Sequence, residues 1–362
     1  MAFTAAELEN ITNSVLNHFL GKGEVYVQAI QEKPMLKAFD DAAGTFPGGR
    51  GEIEIRIKKG DGGLSLSGYT HDDTVTFDNP TPVRVAKYPW KEHHIGMGLT
   101  HTELKHDGIT VNEEGANQTL SNKSGRDQFV LAGLLQEKID SMNEDYLEGM
   151  DGLIHGDGTG DVKALAGIQS IILPDPSLGA TGGFARTNTW WRNRAATADA
   201  DAAGSGDAPI VSTPANGGAL LQYLQGEYRQ IRRYARQTPK HKVFAGSDFI
   251  GAMEVELRAN GNYASDGFRN RRTNDGGMNT DAGVPFKNWN FVYDPTLDDL
   301  GFEKRAYVID MNAIKLLYMQ GEKMKRANPP RPHDKYVNYR AITTTAAMIA
   351  KQLNTSAVYD IA

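Results

Sequence analysis

The sequence predicts an α+β fold in which strands flank one long helix, and three patterns support this prediction. Ile53, Ile55 and Ile57 alternate with charged residues, a period of two that is typical of a half-buried strand. Apolar residues then recur every three or four positions between residues 124 and 154, which is the spacing of one helix face. The chain closes with "KYVNYRAITTTAAMIAKQLNTSAVYDI", a stretch rich in β-prone residues.

Composition limits the classes of protein to which the chain can belong. Its 362 residues and 40% hydrophobic content are sufficient for two or three modest globular domains. The absence of cysteine rules out disulfides and zinc–thiolate sites, and a net charge of −6 lacks the basic character of most nucleic-acid-binding proteins. No stretch reaches the roughly 20 apolar residues that cross a bilayer, and polar residues interrupt the N-terminal stretch. We therefore expect a soluble protein, made in a cytoplasm, that contacts no membrane.

An amphipathic helix is predicted near the start of the chain. Thr4 and Glu7 form a capping box, and Gly21 marks the end of the pattern. Because the helix is short, its apolar face needs another surface to cover it. The residues of that face are Leu8, Ile11, Val15 and Phe19.

A long hairpin is predicted to follow. Val83 and Val85 repeat the alternation that begins at Ile53, so two strands face each other across about twenty polar, glycine-rich residues. Compact domains rarely contain a connection of this length unless it is functional or contacts another molecule. We therefore expect this hairpin to project from the body of the protein.

The segment "EHHIGMGLTHTELKH" contains four of the nine histidines and is the strongest metal candidate in the sequence. Its apolar residues alternate and predict a strand, on which His93 and His101 share a face but lie about 26 Å apart at ~3.3 Å per residue. His94 and His106 share the opposite face and lie farther apart still. One metal ion cannot reach either pair unless the strand bends sharply or a partner strand contributes. We predict neither a metal nor a cofactor.

The most regular pattern predicts a single helix over residues 124–154. Ser124 and Asp127 form a second capping box at its start. At ~1.5 Å per residue the helix spans about 45 Å, the width of a small domain. Its heptads are few and lack a regular charge pattern at the flanking positions, so packing along a sheet is favoured over a coiled coil. The apolar stripe consists of Leu131, Leu135, Ile139, Met142, Tyr146, Met150 and Leu153.

Directly after this helix, "GDGTGD" suggests a phosphate cradle, a calcium loop or a plain turn. A phosphate-binding glycine loop follows a strand rather than a helix, and Asp161 occupies the position of its third glycine. Asp157, Thr159 and Asp161 match the first calcium-ligand positions, but Val162 replaces the turn glycine and Ile168 replaces the closing glutamate. We therefore predict a helix C-cap followed by a tight turn.

Strands and helices alternate in the rest of the chain. "LAGIQSIILPDP" predicts a buried turn and strand, and Trp190 and Trp191 are expected to anchor the loop-rich segment that follows. Ser247 is the predicted N-cap of a later helix, and Asp310 is predicted to turn the chain between two strands. Between these points lies a helix whose predicted stripe is Leu220, Leu224, Tyr228 and Ile231.

This order of elements resembles the major capsid protein of tailed bacteriophages, whose fold is shared by encapsulin shells. The resemblance covers essentially the whole chain: an arm, an extended loop, a long spine helix ending in "GDGTG", a glycine-containing turn, an α/β domain and returning C-terminal strands. Its most specific segments are "MDGLIHGDGTGDVKALAGI" and "YVIDMNAIKLLY". It is a likeness of pattern, without invariant catalytic residues.

The resemblance implies the tailed-phage capsid fold with four parts. Residues 1–49 would form an N-terminal arm, and residues 50–90 an extended loop that reaches over a neighbouring subunit. A peripheral domain, residues 91–163 and 325–362, would contain the spine helix. An axial domain, residues 164–324, would meet its copies around five-fold and six-fold axes.

The resemblance also implies a structural protein rather than an enzyme. Copies of the chain would assemble in the host cytoplasm into hexamers and pentamers of an icosahedral virion capsid that encloses double-stranded DNA with weak, non-specific contact. The other partners it allows for are a scaffolding protein, a portal and a decoration protein. Extended arms suit such a subunit because they add contact area only when a neighbour is present. The residues predicted to contact neighbouring subunits are Ile53, Ile55, Ile57, Tyr69, Phe77, Arg84, Trp90, Arg269, Arg271 and Arg272.

Two other functions stay open on the sequence. An encapsulin-type compartment shell would need an enzyme cargo that docks inside it. A cytosolic metal-dependent enzyme would use the histidine segment or the "GDGTGD" loop, and it predicts stoichiometric metal and loss of activity when His94 or Asp157 is changed to Ala. No Ser-His-Asp order, HExxH motif or glycine-lysine loop in the sequence supports the enzyme.

Overall fold

The structure is a computed structural model in which the chain divides into two units, Met1–Glu32 and Lys33–Ala362. Almost all of the first unit, including the predicted N-terminal helix, lies outside the described residues, so the account below concerns the second unit. The described residues are 31–48, 51–58, 66–74, 77, 83–100, 102, 125–235, 240–259, 284–327 and 337–362.

Helices and strands alternate along the described part of the chain. The longest helix begins at Gly125 and ends at His155, as the apolar periodicity predicted. None of the described helices is both long enough and apolar enough to span a bilayer. The helices are α1 (Pro34–Asp41), α2 (Gly125–His155), α3 (Ile168–Ile171), α4 (Ala198–Ala202), α5 (Ala219–Tyr234), α6 (Ser247–Ala259) and α7 (Pro295–Asp299), with 3-10 turns at Thr189–Trp191 and Ala215–Gly217.

Most of the strands form two sheets, and the others form two small hairpins. The strands are β1 (Gly44–Phe46), β2 (Glu52–Lys58), β3 (Val83–Pro89), β4 (Lys91–Thr100), β5 (Ala180–Thr181), β6 (Phe184–Ala185), β7 (Arg194–Ala196), β8 (His241–Ala245), β9 (Val284–Phe286), β10 (Trp289–Tyr293), β11 (Arg305–Asp310), β12 (Ile314–Met319), β13 (Lys325–Ala327), β14 (Val337–Ala350) and β15 (Ala357–Asp360).

The first sheet is built around β14. This strand pairs antiparallel with β4 from Val337 to Ala346, and also with β12 and β13, while β1 adds a parallel strand beside β12. Residues 346–350 are buried without interruption. Successive residues of a strand point to opposite faces of the sheet, so this run means that both faces of β14 are covered there.

The long helix α2 packs along this first sheet, as predicted. Met142, Tyr146 and Met150 of the predicted stripe are buried in the same core as β12 and β14. The Tyr146 hydroxyl lies 2.7 Å from the Thr344 hydroxyl on β14, which fixes the register between helix and sheet. The side chains of the first half of the stripe lie outside the described residues.

The second sheet has the strand order β7-β15-β11-β8-β10-β9 and carries its own core. Helices α5 and α6 contribute to that core, and Leu220, Leu224 and Ile231 of the predicted α5 stripe are buried in it. The carboxylate of Glu256 on α6 is fully buried and accepts hydrogen bonds from the backbone N–H groups of Leu220 and Leu221. The start of α5 is thus capped by a side chain from the neighbouring helix.

The two sheets do not coincide with the predicted peripheral and axial ranges, and the division into these domains stays a prediction. β12 belongs to the first sheet, although the predicted axial range extends to residue 324, and β15 belongs to the second, although residues 325–362 were assigned to the peripheral domain. A tight turn at Asp310, whose carboxylate accepts the Asn312 N–H at 3.0 Å, takes the chain directly from β11 of the second sheet to β12 of the first. The prediction that Asp310 turns the chain is confirmed.

Candidate functional site

The predicted hairpin is present, and its two strands have one buried face. β2 and β3 pair antiparallel from Glu52 opposite Pro89 to Lys58 opposite Val83. Because paired residues share a face, the isoleucines of β2 lie on the same side as Ala86 and Tyr88 of β3. The alternation of buried and exposed residues along β2 follows the predicted period of two.

The base of the hairpin, which consists of strands β2 and β3, packs on the core of its own subunit. Ile53 and Ile57 are buried there, and Ile55 is half-buried against the same cluster. Their own subunit thus covers Ile53 and Ile57, and their contact with a neighbouring subunit stays a prediction. Tyr88 adds a directional contact, since its buried hydroxyl donates to the Ala350 carbonyl oxygen at 2.8 Å. Burial raises the pKa of Tyr88 to about 12, so this donor keeps its proton at neutral pH.

The distal part of the hairpin presents apolar side chains to solvent. Tyr69 and Phe77 are 72% and 94% exposed, and Leu66, which the sequence prediction missed, is fully exposed. Between them, the Asp73 carboxylate accepts hydrogen bonds from the Thr70 N–H and hydroxyl at 2.7 and 2.8 Å, and these bonds lower the pKa of Asp73. We call residues 66–74 and 77 of this hairpin the tip.

The remaining predicted contact residues differ in their surroundings. Arg84 is exposed on the hairpin, although it is paired with the buried Ile57. Trp90 is half-buried, and its ring centroid lies 6.2 Å from that of Phe46. The three predicted arginines, Arg269, Arg271 and Arg272, lie outside the described residues.

The "GDGTGD" loop is the predicted turn. Helix α2 ends at His155, and the Asp157 carboxylate accepts hydrogen bonds from the Thr159 N–H and hydroxyl at 2.9 and 2.6 Å, which is the geometry of a local Asx turn. Asp161 accepts the Lys163 N–H in the same way, at 2.8 Å.

Gly167, the glycine of "LAGIQ", lies against the end of the long helix. A Cβ atom at this position would lie 2.3 Å from the Gly156 carbonyl oxygen and 2.4 Å from the Leu153 carbonyl oxygen. The chain crosses the carbonyl end of the long helix so closely that only glycine fits. The glycines of this region therefore serve packing and turn formation.

The histidine segment is the predicted strand, β4. His93 is half-buried and His94 is exposed, as the alternation requires, whereas His101 and His106 lie outside the described residues. Among the described residues, no group of three or more His, Cys, Asp or Glu side chains could hold a metal ion.

A buried ionic cluster joins the end of α2 to α7, and the sequence prediction missed it. The ring Nε2 of His155 lies 2.9 Å from the Asp294 carboxylate, and its Nδ1 lies 2.9 Å from the Asp151 carbonyl oxygen. Both partners are acceptors, so the ring fits as an imidazolium with two donors. The Asp151 carboxylate accepts a hydrogen bond from the Thr296 hydroxyl at 2.7 Å, and the Lys33 ammonium lies 4.0 Å from it. We call this cluster the joint.

The charges in the joint shift the pKa values of its members. Burial alone would lower the pKa of His155, but the hydrogen bond and charge of Asp294, with the charge of Asp151, raise it above its ordinary value. Burial raises the pKa of Asp151 against the opposing effect of His155. An i, i+4 pair of Asp151 and His155 in the last helical turn was the available sequence signal. It did not point to Asp294, which is distant along the chain.

Comparison with solved structures finds phage capsids that share the fold of this chain. No protein-family model and no curated protein matches the chain. The cyanophage A-1(L) capsid asymmetric unit matches with a TM-score of 0.60 and 13% identity over 93% of this chain and 95% of that chain. The capsid of Myoviridae phage XM1 matches with a TM-score of 0.53 and 13% identity over 100% and 99%. A chain of Mycobacterium phage Bobi matches with a TM-score of 0.51 and 12% identity over 93% and 92%. The chain therefore has the tailed-phage capsid protein fold over nearly its whole length.

Proposed function

We propose that this chain is a major capsid protein of a tailed bacteriophage, a structural subunit that assembles with copies of itself into a closed shell. The observation that carries the proposal is the hairpin, whose base is buried in its own subunit while its tip presents Leu66, Tyr69 and Phe77 to solvent. The shared fold with phage capsids, complete in both chains, supports the same conclusion.

The tip supplies what a shell subunit needs. Burying one large apolar side chain contributes about 1.5–3 kcal/mol, so a tip that is covered only by a neighbour favours assembly without requiring a large apolar patch on the body. The contact residues that we propose are Tyr69 and Phe77, together with Leu66. Ile55, Arg84 and Trp90, which are not fully buried, stay proposed contacts, as do Arg269, Arg271 and Arg272.

The finer features of the proposal follow the family resemblance. The subunits form hexamers and pentamers of an icosahedral capsid that encloses double-stranded DNA with weak, non-specific contact. Assembly takes place in the host cytoplasm with a scaffolding protein and a portal, and a decoration protein is a further proposed partner. The N-terminal arm, the extended loop and the division into peripheral and axial domains belong to the same proposal, with β12 and β15 placed in the sheets where they pair. The role is structural rather than catalytic.

Electron microscopy and analytical ultracentrifugation of the purified full-length protein test this proposal. We expect closed shells, tubes or hexameric rosettes. A monodisperse monomer or dimer at every concentration tested would contradict it, and stoichiometric metal with an associated activity would favour the enzyme instead. Shells that copurify with one enzyme enclosed would favour an encapsulin-type compartment.

A further inference from the structure

We propose that the tight turn Gly182–Gly183 is a stop against which the hairpin rests, and that this stop sets the direction in which the hairpin leaves the subunit. The proposal deepens the proposed function and rests on it in one respect: a hairpin that must reach a neighbour needs a defined direction. The stop itself is a property of the single subunit.

The turn has the geometry of a tight β-hairpin. β5 and β6 pair through Ala180 opposite Ala185 and Thr181 opposite Phe184, which leaves Gly182 and Gly183 as a two-residue loop. Both have positive φ, at 61° and 81°. A two-residue loop with positive φ at both positions is a type I′ turn, for which Asn or Gly is preferred at the first position and Gly at the second.

One side of this turn touches the extended hairpin at van der Waals limits. The Lys87 N–H of β3 donates to the Gly182 carbonyl oxygen at 3.1 Å. A Cβ atom at position 182 would lie 2.8 Å from the Tyr88 hydroxyl oxygen and 3.0 Å from the Ala86 Cβ, whereas a Cβ at position 183 would meet nothing within 4 Å. Only Gly182 is therefore pressed against the hairpin.

A buried guanidinium holds the turn from behind. Arg186 is fully buried and donates to the Thr181 hydroxyl at 3.0 and 2.8 Å, to the Asn193 side-chain oxygen at 2.7 Å and to the Ile171 carbonyl oxygen. Among the described residues no carboxylate forms an ion pair with it. Burial lowers the pKa of Arg186 to about 10, so it stays charged at neutral pH.

This arrangement makes the stop rigid. A buried charge is costly unless its N–H donors find hydrogen-bond acceptors. For Arg186 these acceptors lie on Thr181, Asn193 and Ile171, and moving any of them would break bonds to the charge. The buried Trp191 adds a second support, because its indole N–H donates to the Thr181 carbonyl oxygen at 3.0 Å. On the far side, the Tyr88 hydroxyl is bonded to Ala350 of β14. The base of the hairpin is thus held between the first sheet and the turn.

A matched pair of glycine variants tests the stop. Gly182→Asn places a favoured residue at the first position of a type I′ turn, so any disturbance comes from the collision with the hairpin. Gly183→Asn places the same residue type, which tolerates positive φ, at a position where a Cβ meets nothing, and serves as the control. The chain has no cysteine, so Ser67→Cys in the tip and Gln225→Cys on α5 provide unique sites for spin labels in otherwise native protein.

The readouts separate the stop from the assembly function. In soluble subunits separated from any shells, we expect Gly182→Asn to shift or broaden the distance distribution between the two labels, and Gly183→Asn to leave it unchanged. Hydrogen exchange of residues 83–89 should accelerate about tenfold in Gly182→Asn alone, because the Lys87 amide loses its acceptor. An unchanged distribution in folded Gly182→Asn, or an equal shift in both variants, would overturn the stop.

A measurement on the unmodified protein covers the case in which Gly182→Asn does not fold. The Lys87 amide should be protected from exchange in the wild-type subunit, because its acceptor lies on the turn. If it exchanges as fast as an exposed amide, the hairpin does not rest on Gly182 and the proposal fails. Failure of the wild-type protein to form shells, with Lys87 still protected, would instead contradict the proposed function and leave the stop intact.

Discussion

The base and the tip of the extended hairpin differ in the burial of their apolar side chains. At the base, Ile53, Ala86 and Tyr88 are buried in the core of their own subunit, and the Tyr88 hydroxyl is bonded to Ala350. At the tip, Tyr69 and Phe77 are exposed, and the hydrogen bonds of the turn between them are local ones. One element thus changes from an internal part of the fold to a projecting surface along its length.

The contrast separates side chains that contribute to folding from those that, in the proposed function, contribute to assembly. Apolar side chains contribute to subunit stability only where the subunit itself covers them, and those at the base meet this condition. Those at the tip gain nothing from folding alone. Substitutions at the base should therefore change the free energy of unfolding, whereas substitutions at the tip should change association.

The largest expected effect lies in the body on which the base rests. His155→Ala removes the imidazolium between Asp151 and Asp294 and leaves buried carboxylates without it, which should lower the free energy of unfolding by about 3–5 kcal/mol. Urea unfolding of the subunit measures this loss. His94→Ala, at an exposed histidine of β4, is the control and should change the free energy by less than about 0.5 kcal/mol. Equal effects of the two variants would show that the joint does not stabilise the body.

The same joint should make stability depend on pH. The pKa of His155 is raised in the folded state, so its stabilisation is complete below the unfolded value of about 6.5 and is lost as the pH rises through the folded value. The raised pKa of Asp151 acts in the same direction at lower pH, and Lys33 and Asp294 complete the cluster. Unfolding free energy should therefore fall as the pH rises from about 6.5 through the raised pKa of His155 in the wild type.

In the His155→Gln variant, the pH dependence of the unfolding free energy should lack the contribution of His155. The pKa of His241 is lowered by burial and has the opposite effect on the slope, but it is present in both proteins and cancels in the difference. Parallel pH profiles for wild type and His155→Gln would contradict a stabilising imidazolium.

At the base itself, Ile53→Ala should be costly. Ile53 is buried, and truncation of a buried isoleucine leaves a cavity, so we expect a loss of about 2–5 kcal/mol in the free energy of unfolding. Val85→Ala, on the solvent-facing side of the same hairpin, should lose less than about 1 kcal/mol. Thermal and urea unfolding of both variants measure the difference. A small effect of Ile53→Ala would show that the base is not docked in solution.

Periodicity predicted the elements and their faces but not their partners. The stripe on α2 gave its length and its packing on a sheet, and the alternation in β2 gave the hairpin. Both follow from local geometry, because a helix or strand must place its apolar residues on one side. Which surface covers that side depends on the rest of the chain. All three isoleucines of β2 were for this reason assigned to a neighbour, although their own subunit covers Ile53 and Ile57.

Contacts between distant residues were beyond the reach of the sequence. His155 and Asp294 are 139 positions apart, and β4, α2 and α3 lie between Tyr88 and Gly182 along the chain, so no spacing rule connects either pair. The glycines were easier to assign, because a positive φ or a close approach restricts the residue type at a single position. Gly167 is such a case: its place after the long helix predicted a turn, and the structure supplies the atoms that exclude a side chain.

The smallest effect on folding and the clearest effect on association are expected at the tip. Because Tyr69 and Phe77 are exposed, replacing both with Ser should change the free energy of unfolding by less than about 0.5 kcal/mol. The matched control replaces Val211 and Val255, two exposed apolar residues outside the hairpin, with Ser. Sedimentation velocity and electron microscopy should show loss of shells for the tip variant and retention for the control. Normal shells from the tip variant would show that the tip is not part of the interface. A decrease of more than about 2 kcal/mol in the free energy of unfolding of the isolated subunit would show that the tip folds back on its own chain, because only side chains covered by the subunit contribute that much to its stability.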